Sequence, residues 1–261
     1  MTLDGRAAIV TGSSRGIGAD VAKYLARAGA KVAICARSEE SPDPRLPGTI
    51  YSVVKEIEAE GGTAMAVRMN MRDPDDIRAG VQRIADEWGR IDIAVNNAAI
   101  LIPGDIESVQ ERHLELMWQV DLRGPVLLMQ AVIPHMKRAG GGHIINVSSR
   151  GGVFPGPGAY ADTSNAGAPF YGMVKSGLEH LSQRVAMALQ DSNISVNVLS
   201  PNGFIRTPGS LMARSSRENP ETEFDTAEYM GKGVVWICEQ PPKEFTGNIM
   251  FDELLCKERG L

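Results

Sequence analysis

Short runs of apolar, β-prone residues alternate with longer stretches of helical character along almost the whole chain. Ala7-Ala8-Ile9-Val10 and Ile91-Asp92-Ile93-Ala94-Val95 are typical of these runs, which are nearly continuous in apolar residues. Strands with this composition are buried on both faces, as they are in parallel sheets. The pattern predicts strands at residues 6–11, 31–36, 63–68, 91–95, 143–147, 194–199 and 248–251.

Helical periodicity fills the intervals between these strands. Because alternating strands and helices form right-handed crossovers, the predicted fold is α/β, a single Rossmann-type domain over residues 1–261. Its doubly wound sheet has about seven mostly parallel strands with helices on both faces, and ligands bind at the carboxyl ends of the strands. The fourth helix is expected to break at Gly124-Pro125. Helices are predicted near residues 16–28, 49–60, 74–88, 108–138, 171–190 and 226–239.

Three loop segments are rich in Pro, Gly or polar residues. Residues 38–48 and 161–169 are interpreted as insertions, and residues 204–225 as a substrate loop. Long loops on a compact scaffold commonly carry function.

Charge and composition exclude several classes of protein. The net charge is −5, with 27 Lys+Arg against 32 Asp+Glu, so no broad basic face is expected for a nucleic acid or an anionic membrane. No apolar run is long enough to span a bilayer, and the opening residues predict no secretory leader. The three cysteines are scattered and are expected to be reduced thiols, which predicts a cytoplasmic location. The four histidines lack ligand spacing, so no metal site is predicted.

A glycine-rich loop follows the first strand, with the sequence Thr11-Gly12-Ser13-Ser14-Arg15-Gly16-Ile17-Gly18. Glycines let a backbone approach a pyrophosphate, and the start of the next helix supplies free N–H groups and a positive dipole end. The spacing is G-x-x-x-G-x-G, which differs from the standard dinucleotide fingerprint. The loop therefore indicates a nucleotide site, and a plain strand-to-helix turn is the alternative.

Four further motifs follow in chain order, at the ends of later strands or on the next helix. They are Asn96-Asn97-Ala98-Ala99, Ser148-Ser149, Tyr171-Gly172-Met173-Val174-Lys175 and Pro201-Asn202-Gly203. Together with the glycine loop, this ordered set resembles the short-chain dehydrogenase/reductase family over essentially the whole chain. The resemblance implies an oxidoreductase that acts on CH–OH groups and interconverts an alcohol and a carbonyl with a nicotinamide cofactor.

The candidate catalytic residues follow from the same motifs. Tyr171 and Lys175 lie four positions apart and therefore share one helix face, where an ammonium favours the phenolate form needed for proton transfer. The resemblance implies that Tyr171 is the acid/base, that Lys175 also holds the nicotinamide ribose, and that Ser149 hydrogen-bonds the substrate oxygen. Ser148 is the alternative serine. Tyr160 is not expected to serve, because no lysine stands four positions after it.

The residues after the second strand favour NADP(H). An acidic residue at this point would select NAD, but the strand ends in Ala36-Arg37 and the first acidic residue is Glu39. Arg37 and Arg15 can pair with a 2′-phosphate. The alternative is that both are solvated surface arginines.

The resemblance implies further cofactor contacts along the same edge. Asn70 stands where the family usually has an aspartate near the adenine, and its amide oxygen can still accept a hydrogen bond. Thr207 resembles the threonine that meets the nicotinamide carboxamide, with the backbone of Ile205 as another candidate. The implied cofactor residues are Gly12, Ser14, Arg15, Gly16, Ile17, Gly18, Arg37, Asn70, Met71, Asn97, Ala98, Tyr171, Lys175, Pro201, Gly203, Ile205 and Thr207.

Three features depart from the family pattern. Ser149 and Tyr171 are farther apart than is usual, and the extra length falls in the 161–169 insertion. Asn202 separates Pro201 from Gly203, where the family usually has Pro-Gly directly. Asp121 stands where the family often has an asparagine that helps to hold a water in a proton relay. We predict that Asp121 takes this place, with a solvent-facing or helix-capping side chain as the alternative.

The leading hypothesis is an NADPH-dependent carbonyl reductase with an apolar small-molecule substrate. A 3-oxoacyl-thioester reductase or a hydroxysteroid dehydrogenase of the same family remains open. A non-catalytic NADP(H)-binding redox sensor would not need Ser149, Tyr171 and Lys175 together. The resemblance also suggests a homo-oligomer, a homotetramer or a dimer, built partly on the helices at 108–138 and 171–190. The candidate pocket residues are Ile100, Leu101, Val153, Phe154, Phe170, Leu211 and Met212.

Overall fold

A sheet of seven parallel strands forms the centre of the fold, in the order β3-β2-β1-β4-β5-β6-β7. The computed structural model describes residues 1–41, 43–160, 168–214 and 226–261, with side chains for all of these except 212–214. The strands are β1 (Ala7–Thr11), β2 (Lys31–Ala36), β3 (Thr63–Arg68), β4 (Ile93–Asn96), β5 (Gly142–Val147), β6 (Ile194–Ser200) and β7 (Ile249–Phe251).

Helices connect these strands. A π-helical segment at Trp118–Arg123 joins α4 to α5, and short 3-10 turns lie at Arg150–Gly152 and Gln190–Ser192. The helices are α1 (Gly16–Arg27), α2 (Ile50–Ala59), α3 (Pro74–Trp88), α4 (Glu111–Met117), α5 (Gly124–Ala139), α6 (Pro169–Leu189), α7 (Pro208–Arg214), α8 (Glu228–Glu239) and α9 (Asp252–Arg259).

Each face of the sheet is covered by its own hydrophobic core. In β1, Ala8 and Val10 belong to the core that includes residues of α1, α2, α8 and α9. Ile9 points to the other face and belongs to the core that includes residues of α3, α5 and α6. The apolar runs of the sequence are continuous because both faces of each central strand are buried. The structure therefore confirms the predicted doubly wound parallel sheet.

The strand order reverses between β2-β1 and β1-β4. Helices on opposite faces leave the sheet at this point, and a crevice opens between the carboxyl ends of β1 and β4. The residues after β1, β4, β5 and β6 converge on this edge, which is where the sequence motifs lie.

The predicted break at Gly124-Pro125 is wrong. The chain stays helical from Glu111 to Ala139, and the irregularity is the π-helical segment just before Gly124. The N–H of Gly124 donates to Gln119 O, five residues back, so the wider turn takes up the register change ahead of a proline that has no N–H.

The other differences lie at element ends. Helices α7 and α9 were not expected from the sequence. Of the predicted 161–169 insertion, Ala168 is the residue before α6 and Pro169 begins it, while residues 161–167 lie outside the described residues. Of the predicted substrate loop, Pro208–Arg214 is helical, and residues 215–225 lie outside the described residues. Over the part of the chain described, no helix is long and apolar enough to cross a membrane.

Candidate active site

The glycine loop packs directly on the end of β4. Gly12 has a φ of 65°, and a Cβ built on it would lie 2.7 Å from Ala98 Cα. A Cβ on Gly18 would lie 2.7 Å from Gly12 O. Any side chain at these two positions would push the loop away from the crevice, so the spacing of the glycines is set by close packing.

Helix α1 begins without a side-chain cap. Arg15 occupies its N-cap position and makes no capping hydrogen bond. Helices α2 and α3, by contrast, are capped by Thr49 and Asp73, whose side chains accept from backbone N–H groups. The N–H groups at the start of α1 therefore face the crevice with a positive dipole end, which fits the pyrophosphate of a nicotinamide dinucleotide.

Asn97 ties the glycine loop to β4. Its Nδ2 donates to Thr11 O at 2.8 Å. The hydroxyl of Thr11 accepts from the backbone N–H groups of Asn97 and Ala98, both at 3.1 Å. The contacts of the Asn97 side chain thus hold the floor of the crevice, with Ala98 at its surface.

Arg15 and Arg37 have different surroundings. Arg37 is exposed directly after β2. Arg15 is half-buried; its Nη2 donates to Gly48 O at 2.9 Å, and its Nε is buried without a partner among the described residues. Burial lowers the pKa of Arg15, and the nearby Asp43 carboxylate acts against this shift. Gly48 thus packs on the glycine loop and holds Arg15, while Arg37 projects from the end of β2.

Two residues that follow β3 lie at the predicted adenine side. The Oδ1 of Asn70 accepts from the backbone N–H of Arg72 at 3.2 Å. Met71 is buried, and its carbonyl oxygen lies close to Gly124. The Asn70 side chain therefore stabilises the turn that follows β3.

Ser149, Tyr171 and Lys175 come together at the ends of β5 and α6. A Cβ built on Gly151 would lie 3.6 Å from the Tyr171 ring and 3.7 Å from Ser149 Oγ, so both side chains flank this glycine. The Nζ of Lys175 lies 5.5 Å from the centre of the Tyr171 ring. Lys175 is buried, and its ammonium donates to Val147 O at 2.9 Å.

The alternative residues Ser148 and Tyr160 make hydrogen bonds to other partners. Ser148 is buried, and its hydroxyl donates to Glu179 Oε1 at 2.6 Å. Tyr160 is exposed, and its hydroxyl donates to Gly156 O at 2.8 Å. Ser149 instead accepts from the N–H of Gly151 at 3.2 Å, which leaves its own hydroxyl hydrogen available.

Comparison with known proteins assigns the chain to a family. The family model described as "short chain dehydrogenase" matches residues 6–219. The chain is a short chain dehydrogenase. This confirms the resemblance inferred from the ordered motifs.

Two curated relatives match nearly the whole chain. Hydroxysteroid dehydrogenase-like protein 2 of Xenopus tropicalis is 35% identical over 260 residues, and the human protein of the same name is 33% identical over 259 residues. Each match covers 99% of this chain and 59% of the relative. The dehydrogenase thus spans about three fifths of the length of these relatives.

Solved structures share the fold over the same extent. A short chain dehydrogenase from Mycobacterium thermoresistibile is 32% identical with a TM-score of 0.84, covering 99% of this chain and 89% of the other. A metagenomic short-chain oxidoreductase, solved in complex with NADP, is 27% identical with a TM-score of 0.77, covering 96% of this chain and 99% of the other.

Asp121 lies in the π-helical segment of this dehydrogenase and is fully buried. Its Oδ1 accepts from the N–H of Ile100 at 2.8 Å, and its Oδ2 has no partner among the described residues. Burial raises the pKa of Asp121 to about 6, against the opposing effects of Lys175 and the Ile100 N–H. The solvent-facing alternative is therefore wrong.

The predicted carboxamide residues lie across the crevice. Ile205 is buried, and Thr207 sits over the glycine loop, since a Cβ on Gly16 would lie 3.1 Å from Thr207 Cβ. Thr207 Oγ1 accepts from the N–H of Ser210 at 3.0 Å, which starts α7. The loop after β6 therefore covers the glycine-loop side of the crevice.

The C-terminal elements hold the Pro201–Gly203 turn. The backbone N–H of Asn202 donates to Asp252 Oδ1 at 2.7 Å, and its Nδ2 donates to Glu253 Oε2 at 2.6 Å. Arg150 Nη1 donates to both Asn202 O and Asn202 Oδ1 at 3.2 Å. We name Arg150, Asn202, Asp252 and Glu253 the C-terminal clamp. The clamp was not expected from the sequence, although the extra residue Asn202 in the turn was a usable signal.

A polar ladder crosses the fold beneath the site. Asn96 Nδ2 donates to Asn146 Oδ1 at 2.7 Å, and Asn146 Nδ2 donates to Ser182 Oγ at 2.8 Å. Asn96 and Asn146 are also register partners in β4 and β5. The ladder therefore links two central strands to α6 through buried side chains.

Apolar side chains stand on the loops that follow β4 and β5. Phe154 is 83% exposed, Val153 55% and Leu101 39%. Ile100, Phe170 and Leu211 are half-buried, and the side chain of Met212 lies outside the described residues. Among the described residues, no group of three or more His, Cys, Asp or Glu is placed to hold a metal ion.

Proposed function

We propose that this short chain dehydrogenase is an NADP(H)-dependent carbonyl reductase that acts reversibly on a secondary alcohol. The observation that carries the proposal is the grouping of Ser149, Tyr171 and Lys175 beside the glycine loop. Tyr171 and Ser149 flank the same glycine, and the Lys175 ammonium lies near the phenol ring. Three groups suited to one carbonyl oxygen thus meet at the edge where ligands of such sheets bind.

Each of the three side chains is proposed to have its own task. Ser149 already accepts a hydrogen bond from Gly151, so its hydroxyl hydrogen is free to point at the substrate oxygen. Tyr171 donates its proton to that oxygen during reduction and takes it back during oxidation. The buried Lys175 ammonium stabilises the phenolate left on Tyr171. The nicotinamide, when bound, supplies the hydride.

The preference for NADP(H) rests on the two arginines. Arg37 projects from the end of β2, and Arg15 is held at the start of α1 by Gly48. Guanidinium groups pair well with a 2′-phosphate. The related oxidoreductase solved with NADP has the same fold. The remaining proposed contacts are the glycine loop (Gly12, Ser14, Gly16, Ile17, Gly18), Asn70, Met71, Asn97, Ala98, Pro201, Gly203, Ile205 and Thr207, with Lys175 and Tyr171 at the nicotinamide ribose.

Asp121 is proposed as the relay group. Its buried Oδ2 has no hydrogen-bond partner among the residues described, and the Lys175 ammonium acts to lower the pKa of the carboxyl group. A carboxylate there can accept from a water that also meets the lysine ammonium.

The proposed substrate is an apolar ketone. Phe154, Val153 and Leu101 project from the loops that flank the site, and a substrate of apolar surface would cover them. A steroid ketone is the second candidate, because the curated relatives are named hydroxysteroid dehydrogenase-like. A 3-oxoacyl thioester is the third candidate, because the family resemblance leaves a 3-oxoacyl-thioester reductase open.

A homotetramer or dimer in the cytoplasm is proposed for the assembly and location. Trp118, Met173 and Met187 are exposed on the long helical stretches that the family resemblance assigns to subunit contacts. The three cysteines are free and buried, as expected of a reducing compartment.

The first test compares two tyrosine variants. Purified protein is assayed with NADPH and with NADH against cyclohexanone, acetophenone, androstanedione and acetoacetyl-CoA, and in reverse with the matching alcohols. Tyr171→Phe should bind NADPH but lose turnover by about 10²-fold or more, because it cannot donate the proton. The control Tyr160→Phe should stay near wild type. Equal losses would refute the assignment, and NADPH binding without turnover of any carbonyl would favour a redox sensor.

The second test concerns the cofactor. Arg37→Asp removes a cation from the proposed 2′-phosphate site and adds a repelling carboxylate, which can also accept from a ribose hydroxyl. The ratio of kcat/KM with NADPH to that with NADH should fall by about tenfold or more. Arg184→Asp, at an exposed position of α6, is the charge-matched control. An unchanged ratio in the Arg37 variant would show that Arg37 does not select the cofactor.

A further inference from the structure

One face of α6 packs against the segment that carries Ser149. Gly172 approaches so closely that a Cβ on it would lie 2.6 Å from Gly151 O. One turn later, the hydroxyl of Ser176 donates to Gly152 O at 2.6 Å. These two contacts hold the 3-10 turn at Arg150–Gly152 against the helix.

Glu179 completes this face one further turn along. Its Oε1 accepts from the Ser148 hydroxyl at 2.6 Å, and a Cβ on Gly152 would lie 2.7 Å from the same oxygen. Ser148 is 3% exposed, so its hydroxyl has little access to water and depends on this partner. The carboxylate thus holds Ser148, just before Ser149, by a hydrogen bond, and it packs close to Gly152, whose lack of a side chain leaves room for it.

The same helix carries Tyr171 and Lys175. Residues 171, 175 and 179 follow one another at intervals of four, so they lie along one side of α6. A group that fixes Ser148 to α6 therefore fixes Ser149 relative to Tyr171. Small displacements between reacting groups lower turnover strongly.

We propose that Glu179 is a positioning residue: by accepting the hydrogen bond from Ser148, it sets Ser149 in register with Tyr171. The inference rests on the proposed roles of Ser149 and Tyr171. Glu179 acts through its hydrogen bond to Ser148 and contacts no substrate.

The experiment measures kcat and KM for the ketone of the panel that the wild type reduces fastest, with NADPH affinity from the fluorescence of the bound cofactor. Glu179→Ala should lower kcat by about tenfold while NADPH affinity changes less than about twofold, since the cofactor site is untouched. Glu179→Gln should restore kcat to within about twofold of wild type, because its amide oxygen still accepts from Ser148. Glu58→Ala, on an exposed helix face, is the matched control and should have no effect.

A double-mutant cycle isolates the hydrogen bond. Ser148→Ala should lower kcat to a similar extent, and Ser148→Ala with Glu179→Ala should lower it no further, since both changes remove one bond. Any of three outcomes would overturn the inference. The first is a double variant whose loss of kcat equals the product of the two single losses. The others are a Glu179→Gln variant as slow as Glu179→Ala, and wild-type kcat in Ser148→Ala. If Glu179→Ala fails to fold, the kcat values of Glu179→Gln and Ser148→Ala still test the inference.

Ser149→Ala separates the two proposals. Unchanged turnover in Ser149→Ala would overturn the proposed function itself. A large loss in Ser149→Ala with wild-type kcat in Glu179→Ala would overturn only the role of Glu179.

Discussion

Asp121 places a carboxyl group in the interior, out of contact with bulk solvent. Only one of its oxygens has a hydrogen-bond donor among the described residues, and burial raises its pKa to about 6. An unfolded aspartate titrates near 3.8. Between these values the folded chain holds a proton that the unfolded chain has lost, so the free energy of unfolding falls as the pH rises from about 4 to about 6.

We expect Asp121→Asn to remove this pH dependence. The difference of about two pKa units corresponds to about 3 kcal/mol, so the variant should gain stability relative to wild type as the pH rises, and level off above about pH 7. Urea unfolding at a series of pH values measures this. A constant difference between the two proteins would mean that the carboxyl group does not titrate in this range.

The same variant tests the relay in the rate profile. Replacing a carboxylate that interacts with Lys175 changes the charge in the proposed relay, so the pH profile of kcat/KM should differ from that of wild type while the enzyme stays active. Profiles of variant and wild type that superimpose would reject a role for Asp121 in proton transfer and leave only its effect on stability.

Elements far apart in sequence meet at the C-terminal clamp. Helix α9 begins with Asp252 and Glu253, which accept from the turn after β6, while Arg150 reaches the same turn from the end of β5. Asp252 is 3% exposed. The last helix therefore holds the loop that is proposed to meet the nicotinamide.

We expect Asp252→Ala to weaken both folding and cofactor binding. The change leaves the backbone N–H of Asn202 without its acceptor, which should lower the free energy of unfolding by about 2 kcal/mol and raise the Kd for NADPH several-fold. Glu253→Ala is the control, because it removes a more exposed contact and should have a smaller effect on both. Urea unfolding and NADPH titration measure the two quantities, and equal effects in the two variants would argue against a specific role for Asp252.

At the scale of the whole molecule, some features of the fold could be predicted from the sequence and others could not. The strands and the Ser149, Tyr171 and Lys175 positions could be predicted, because a parallel sheet imposes apolar runs and delivers the ends of successive strands to one edge. Contacts such as Ser148 to Glu179 and Asn202 to Asp252 span 31 and 50 positions and follow no periodicity. They depend on how helices dock on the sheet, which local patterns do not encode.

The irregular helix could not be predicted from the sequence either, because it depends on tertiary packing. A proline after a glycine predicts a break, but burial of Gly124 against Met71 O keeps the chain helical, and a π-helical segment absorbs the mismatch. Tertiary contacts here override the local signal.

The polar ladder adds a last contact to a helix that is fixed along most of its length. Ser182 is hydrogen-bonded to Asn146, which pairs with Asn96 in the middle of the sheet, while Gly172 and Ser176 pack on the 3-10 turn nearer the start of α6. The position of Tyr171 is therefore set mainly by contacts that follow it in the chain.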